Sequence, residues 1–78
     1  MQYQQFLTEM EDILDMLRGS LTGSIVLDEC EAWDSLAMLA FSVMAGERTG
    51  RNIPGPLIRG ARTLDDLYAL IVNGNGVS

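Results

Sequence analysis

Residues 33–46 read Trp33-Asp34-Ser35-Leu36-Ala37-Met38-Leu39-Ala40-Phe41-Ser42-Val43-Met44-Ala45-Gly46. From Leu36 to Ala45 there is no charge, and at ten residues the stretch is too short for the roughly 18 that a bilayer span needs. Asp34 and Ser35 are residue types favoured at helix amino ends, so a helix is expected to start there. It should run to about Ala45, with Gly46 and Gly50 available to end it. Two apolar stripes coexist on it: Leu36, Leu39 and Val43 on one side, Met38, Phe41 and Ala45 on another. A helix apolar all round is normally buried, and a small domain can cover only part of this one. One stripe must therefore face a partner or lie under a neighbouring loop.

Outward from that stretch, the eight glycines pair up at 19/23, 46/50, 55/60 and 74/76 and leave Gly-free windows at 1–18, 24–45 and 61–73. Glycine costs about 1 kcal/mol relative to alanine inside a helix, which assigns the helices to those windows. In the first, Phe6, Met10, Ile13, Leu14 and Leu17 fall on one helical face, while Thr8, Glu9, Glu11, Asp12 and Asp15 fill most of the rest. The spacing predicts a helix over 3–18, with Arg18 at the negative end of its dipole and Gly19 just past it. From Ser20 to Asp34 no period is sustained. Leu21, Ile25, Val26 and Leu27 should pin this long loop to a core, with Asp28, Glu29 and Glu31 in water. A loop of that length in a compact domain points to function. Ile53-Pro54-Gly55-Pro56 forces an extended turn, and Pro56 can open a short helix through Leu57, Ile58 and Arg59 that Gly60 closes. Thr63 caps a last helix with Asp65 and Asp66 in its first turn and Leu64, Leu67, Leu70 and Ile71 as its stripe. Asn73-Gly74 should end it, leaving 73–78 as a flexible tail. The fold expected is all-α: a small four-helix bundle of three main helices and one short one, in a single domain over 1–78. Phe6, Met10, Met38, Phe41, Met44, Leu67 and Ile71 are its core candidates.

Charge narrows the function classes. The chain of 78 residues carries a net charge of −6, and all five of its basic residues are Arg. An acidic domain without Lys lacks the phosphate contacts that supply most nucleic-acid affinity, so no nucleic acid is expected as a partner. Residues 1–34 hold eight acids against one Arg, a balance of −7, whereas residues 35–78 balance at +1. Such a run is most simply a solvated acidic face; the alternative, functional reading is electrostatic steering toward basic partners. The single Cys30 excludes an internal disulfide, and the absence of His leaves little for a zinc site, so no metal is expected. Met1-Gln2-Tyr3-Gln4-Gln5 lacks the basic start of a signal peptide, and with no span for a membrane the expected setting is cytoplasmic. Without His there is no acid–base constellation, so the chain is not expected to be an enzyme.

Trp33-Asp34-Ser35-Leu36, after a long loop and at the head of an apolar helix, resembles the Asp-Ser-Leu motif of the acyl carrier proteins. The resemblance extends over almost the whole chain. It includes the long first helix, the loop, the Ile53-Pro54 turn, the short third helix and the Thr63-Leu64-Asp65-Asp66-Leu67 start of the last. It implies that Ser35 carries 4′-phosphopantetheine, with Asp34 and Leu36 completing the motif. It implies as partners a phosphopantetheinyl transferase that takes the arm from coenzyme A with Mg²⁺, an acyl-loading or activating enzyme, and acyltransferase or ketosynthase enzymes. A monomer is the default for a domain that visits several partners. In many carriers of fatty acid synthesis the second helix bears several acids, whereas here the corresponding stretch has only Glu47, next to Arg48. That departure implies a specialised pathway, secondary-metabolite, polyketide or fatty-acid-like, whose enzymes grip Trp33, Leu36, Leu39 and Val43.

Plainer readings stand beside each of these. Ser35 alone could be a helix cap, Trp33 a loop anchor, and Cys30 incidental. The main alternative is a helical protein-interaction module that binds a partner through the apolar face of the second helix and never carries an arm. A serine hydrolase is more distant, since no base can be named for Ser35.

Overall fold

The computed structural model describes residues 2–72; the expected tail at 73–78 and the Asn73-Gly74 helix end lie outside the described residues. Four α-helices occur among the described residues: α1 (Tyr3–Leu14), α2 (Ser35–Thr49), α3 (Gly55–Gly60) and α4 (Leu64–Val72), with one 3₁₀ turn at Leu27–Glu29 in the first loop. The all-α bundle read from the sequence is therefore the fold. Phe6 and Met10 from α1, Phe41 from α2, Leu27 from the loop, and Leu64 and Leu67 from α4 are its fully buried large side chains. The short α3 adds the buried Ile58. Of the expected core only Met38 sits at its margin, packed against it but partly exposed.

α1 ends four residues before the expected Arg18, and the reason lies at Asp15. That residue takes the left-handed conformation (φ 56°, ψ 47°). The Asp15 N–H donates to Asp12 O (3.3 Å) and the Met16 N–H to Glu11 O (2.8 Å), which together close the last turn as a Schellman motif. Gly19 has the positive φ (81°) that suits a helix end but lies in the loop beyond, and Leu17, expected on the buried face, is 83% exposed. The early stop frees Glu11 for another task. Its side chain is only 4% exposed, contrary to its expected place on the polar face. Glu11 Oε2 accepts the backbone N–H groups of Gly19 (2.7 Å) and Leu21 (3.4 Å), which fastens the start of the loop to α1. Glu11→Gln keeps an acceptor but removes its charge, and is expected to lower stability by about 1 kcal/mol. A lower urea midpoint at unchanged slope would register it.

The long loop is held at its middle as well. The Leu27 N–H donates to Arg62 O (2.8 Å) and the Leu64 N–H to Ile25 O (3.3 Å), forming an isolated antiparallel bridge between Val26 and Thr63. Leu21 and Leu27 are buried and Ile25 partly so, as their apolar character requires, while Val26, expected to help pin the loop, is 39% exposed. Asp28, Glu29 and Glu31 remain exposed. α2 extends through Gly46 to Thr49 and is capped by Gly50 (φ 73°), whose N–H donates to Gly46 O at 2.8 Å. An ion pair between Arg48 and Glu9 of α1 ties down this added turn, which lies beyond the glycine-free window. α3 opens one residue before Pro56, and α4 is capped as expected: Thr63 Oγ1 accepts from the Asp66 N–H (3.3 Å) while Asp66 Oδ2 accepts from the Thr63 N–H (3.2 Å).

At the opposite end Tyr3 joins α1 to α4. Its hydroxyl donates to Asp65 Oδ1 (2.8 Å), and its ring meets Tyr68 edge-on at 5.0 Å. The hydrogen bond to Asp65, then burial, then the nearby negative charge raise the Tyr3 hydroxyl above the ordinary phenol value of 10.0. Only the protonated hydroxyl can donate. The contribution to stability is thus complete below the unfolded tyrosine's value and is lost as pH rises through the raised folded one. Thermal unfolding between pH 9 and 11 is expected to show a steeper fall in the wild type than in Tyr3→Phe.

Candidate functional site

The head of α2 is built around Asp34. Its backbone is extended (φ −114°, ψ −171°), and its Oδ1 accepts the Ala37 N–H at 2.9 Å, as an N-cap should. Just before it the Trp33 N–H donates to Cys30 O (3.0 Å) and the Asp34 N–H to Ala32 O (3.0 Å), so the chain enters the helix through tight turns. Trp33 is buried, its ring edge-on to Phe41 at 6.3 Å. It anchors the loop to the core, and its expected place on a partner-facing surface is corrected accordingly. Cys30 is a free thiol, half-buried against the same core.

Ser35 follows as the first helical residue and is exposed. Because Asp34 does the capping, the cap reading of Ser35 does not hold. Its hydroxyl has no hydrogen-bond partner among the described residues. The first-turn N–H groups of a helix lack intrahelical partners and carry the positive end of its dipole, so a negative group on Ser35 would sit in a favourable field.

α2 sends its second stripe inward, with Phe41 and Ala45 buried, and leaves the first in solvent: Leu36 is 76%, Leu39 61% and Val43 55% exposed. The loop does not cover it. With Ala40 this stripe floors an open trough of about 630 Å³, flanked by the Glu9–Arg48 pair. A second groove of about 290 Å³ lies between α2 and α3. Ser35, Met38, Leu39 and Ser42 form one wall, and Gly55, Ile58 and Arg59 the other. Nothing in the sequence pattern marks Arg59 as a site residue; it lies one turn from Gly55 and shows its relation to Ser35 only when α3 docks on α2. Of the charges on α2, Arg48 is engaged with Glu9, and Glu47 is exposed.

The head of α2 thus brings together an exposed hydroxyl with no hydrogen-bond partner among the described residues, the amino end of a helix, and an adjoining groove lined by Arg59. No cluster of three or more metal-ligating side chains occurs among the described residues, and none of their helices is long and apolar enough to cross a membrane. Comparisons with protein-family models, curated proteins and solved structures found no match to the chain.

Proposed function

We propose that the chain is an acyl carrier protein that holds acyl intermediates as thioesters on a 4′-phosphopantetheine arm attached to Ser35. The observation that carries this reading is Ser35 itself. It is an exposed serine at the head of the most apolar stretch, with its hydroxyl unengaged and the cap role taken by its neighbour Asp34. In the loading reaction Ser35 Oγ bonds to the phosphorus of coenzyme A that bears the pantetheine. The pyrophosphate linkage breaks, adenosine 3′,5′-bisphosphate leaves, and the hydroxyl proton passes to the transferase. The arm then supplies a thiol for acyl transfer. The chain's own part is to hold the α2 head rigid through Asp34 and Trp33, to favour the anion at the helix end, and to present the assembly to partners. It supplies no catalytic group.

The exposed stripe Leu36, Leu39 and Val43 supports partners that grip apolar surface rather than the acidic helix of many fatty-acid carriers, hence a dedicated enzyme set in a specialised pathway. Leu39→Asp with Val43→Asp is expected to lower transfer from cognate enzymes by tenfold or more while leaving arm attachment intact; unchanged transfer would remove the stripe from the account. The same stripe favours a second reading, a helical interaction module without an arm. Intact mass after incubation with coenzyme A, Mg²⁺ and a broad-specificity phosphopantetheinyl transferase separates the two. One added arm supports the carrier. No addition to folded protein with several transferases leaves the module.

A further inference from the structure

The groove between α2 and α3 contains one feature that carrier function in general does not require. Arg59, in the last turn of α3, lines the same small groove as Ser35. Arg18 pairs with Asp12 and Arg48 with Glu9, whereas the guanidinium groups of Arg51, Arg59 and Arg62 have neither an ion pair nor a hydrogen bond among the described residues; of these three only Arg59 lines this groove. Its guanidinium folds back along α3: a Cβ at Gly55 would stand 3.2 Å from Arg59 Nη1. Glycine at 55 thus leaves the room in which the guanidinium lies. In a chain of net charge −6, this cation is left without a counter-charge in the groove it shares with the serine that would bear an anion.

Resting on the carrier reading, we infer that Arg59 is a positioning residue for the phosphodiester borne by Ser35, directing the root of the arm along the α2–α3 groove. A planar guanidinium forms paired hydrogen bonds to phosphate oxygens that an ammonium cannot match. The groove supports the same geometry. Met38, Leu39 and Ile58 offer apolar surface to the arm's carbon chain, and the Ser42 hydroxyl offers a partner to its amides. At about 290 Å³ it is near the lower limit of ligand pockets, which suits a segment of the arm more than a long acyl chain. If Arg59 served only as a cation at the carboxyl end of a helix, any positive residue would do, and the site would be indifferent to phosphate.

The test titrates 4′-phosphopantetheine, pantetheine and succinyl-pantetheine into the unmodified full chain and follows backbone amide shifts at Met38, Ser42 and Ile58, in wild type, Arg59→Gln and Arg59→Lys. Thermal midpoints establish that the variants are folded. For a solvent-exposed pair, Arg59→Gln is expected to weaken 4′-phosphopantetheine binding roughly two- to fivefold, with partial recovery in Arg59→Lys and loss of the difference at high salt. Pantetheine, which lacks the phosphate, is expected to bind wild type and variants alike. Equal binding of 4′-phosphopantetheine to wild type and Arg59→Gln overturns the inference. A dependence on Arg59 that follows the succinyl carboxylate instead of the phosphate also overturns it, because Arg59 would then read the cargo. Failure of the two readings is distinguishable. A wild type that shows the phosphate dependence but accepts no arm from any transferase removes the carrier function, and with it the role of Arg59 toward an arm, and leaves only a phosphate-binding groove. One that accepts the arm but shows no phosphate dependence removes only the role of Arg59.

Discussion

Ser35→Ala is expected to fold and melt as the wild type does and to accept no arm at all. The expectation separates two roles that a serine at a helix amino end usually combines. Replacing a capping serine by alanine costs about 1 kcal/mol. Here the Ala37 N–H is already satisfied by Asp34 Oδ1, and the Ser35 hydroxyl makes no hydrogen bond among the described residues. An exposed substitution of this kind changes stability by no more than about 0.5 kcal/mol. Asp34→Ala should show the converse: it removes the cap, costs about 1 kcal/mol, and leaves the Ser35 hydroxyl in place on a looser backbone. Thermal denaturation of both variants, with arm attachment measured on each, checks the pair. A Ser35→Ala protein that lost about 1 kcal/mol or more would mean that the hydroxyl is a structural element after all.

The second large effect is expected at Gly23, which lines neither groove of the candidate site. A Cβ at this position would fall on the Asp65 carboxylate and the Tyr3 hydroxyl, the two groups whose hydrogen bond joins α1 to α4. The backbone cannot easily move away, since Gly23 O accepts the Asp65 N–H at 3.0 Å. Gly23→Ala must therefore break the Tyr3–Asp65 contact or lift the loop, and overpacking of this kind costs about 1–3 kcal/mol. For a chain of 78 residues, with total stability on the order of 4–12 kcal/mol, that is a large share. Tyr3→Phe removes one of the two obstructing groups, so the double variant should lose less than the sum of the single losses. Gly60 is the control. Nothing lies within 4 Å of where its Cβ would stand, and Gly60→Ala should be neutral or slightly stabilising. Urea unfolding of these variants beside the wild type decides the matter; equal stability of Gly23→Ala and Gly60→Ala would contradict it.

Much of this architecture is legible in the sequence because single residues signal it. Asp34-Ser35 marks the start of α2, Thr63 with Asp66 marks α4, and the 3.6-residue spacing of Phe6, Met10 and Leu14 gives the buried face of α1. The departures share a physical cause. Glycine is the natural helix terminator, yet Asp15 ends α1 in the left-handed conformation while Gly46 stays within α2. Long-range contacts accompany both outcomes, Glu11 reaching the loop N–H groups and Glu9 reaching Arg48, and no local pattern encodes them. For the site, the sequence indicates Ser35 and the apolar stripe beside it. It misplaces Trp33, whose burial depends on where Phe41 meets it, and it is silent on Arg59, whose relation to Ser35 arises only from the docking of α3 on α2.

The central claim concerns one hydroxyl, and tryptic peptide mapping addresses it most directly. With no Lys in the chain, cleavage after Arg18 and Arg48 isolates Gly19–Arg48, which contains Ser20, Ser24, Ser35 and Ser42. After incubation with coenzyme A, Mg²⁺ and a phosphopantetheinyl transferase, tandem mass spectrometry of this peptide is predicted to assign a single arm to Ser35. An arm on Ser20, Ser24 or Ser42, or an unmodified peptide from folded protein with every transferase tried, would contradict the account.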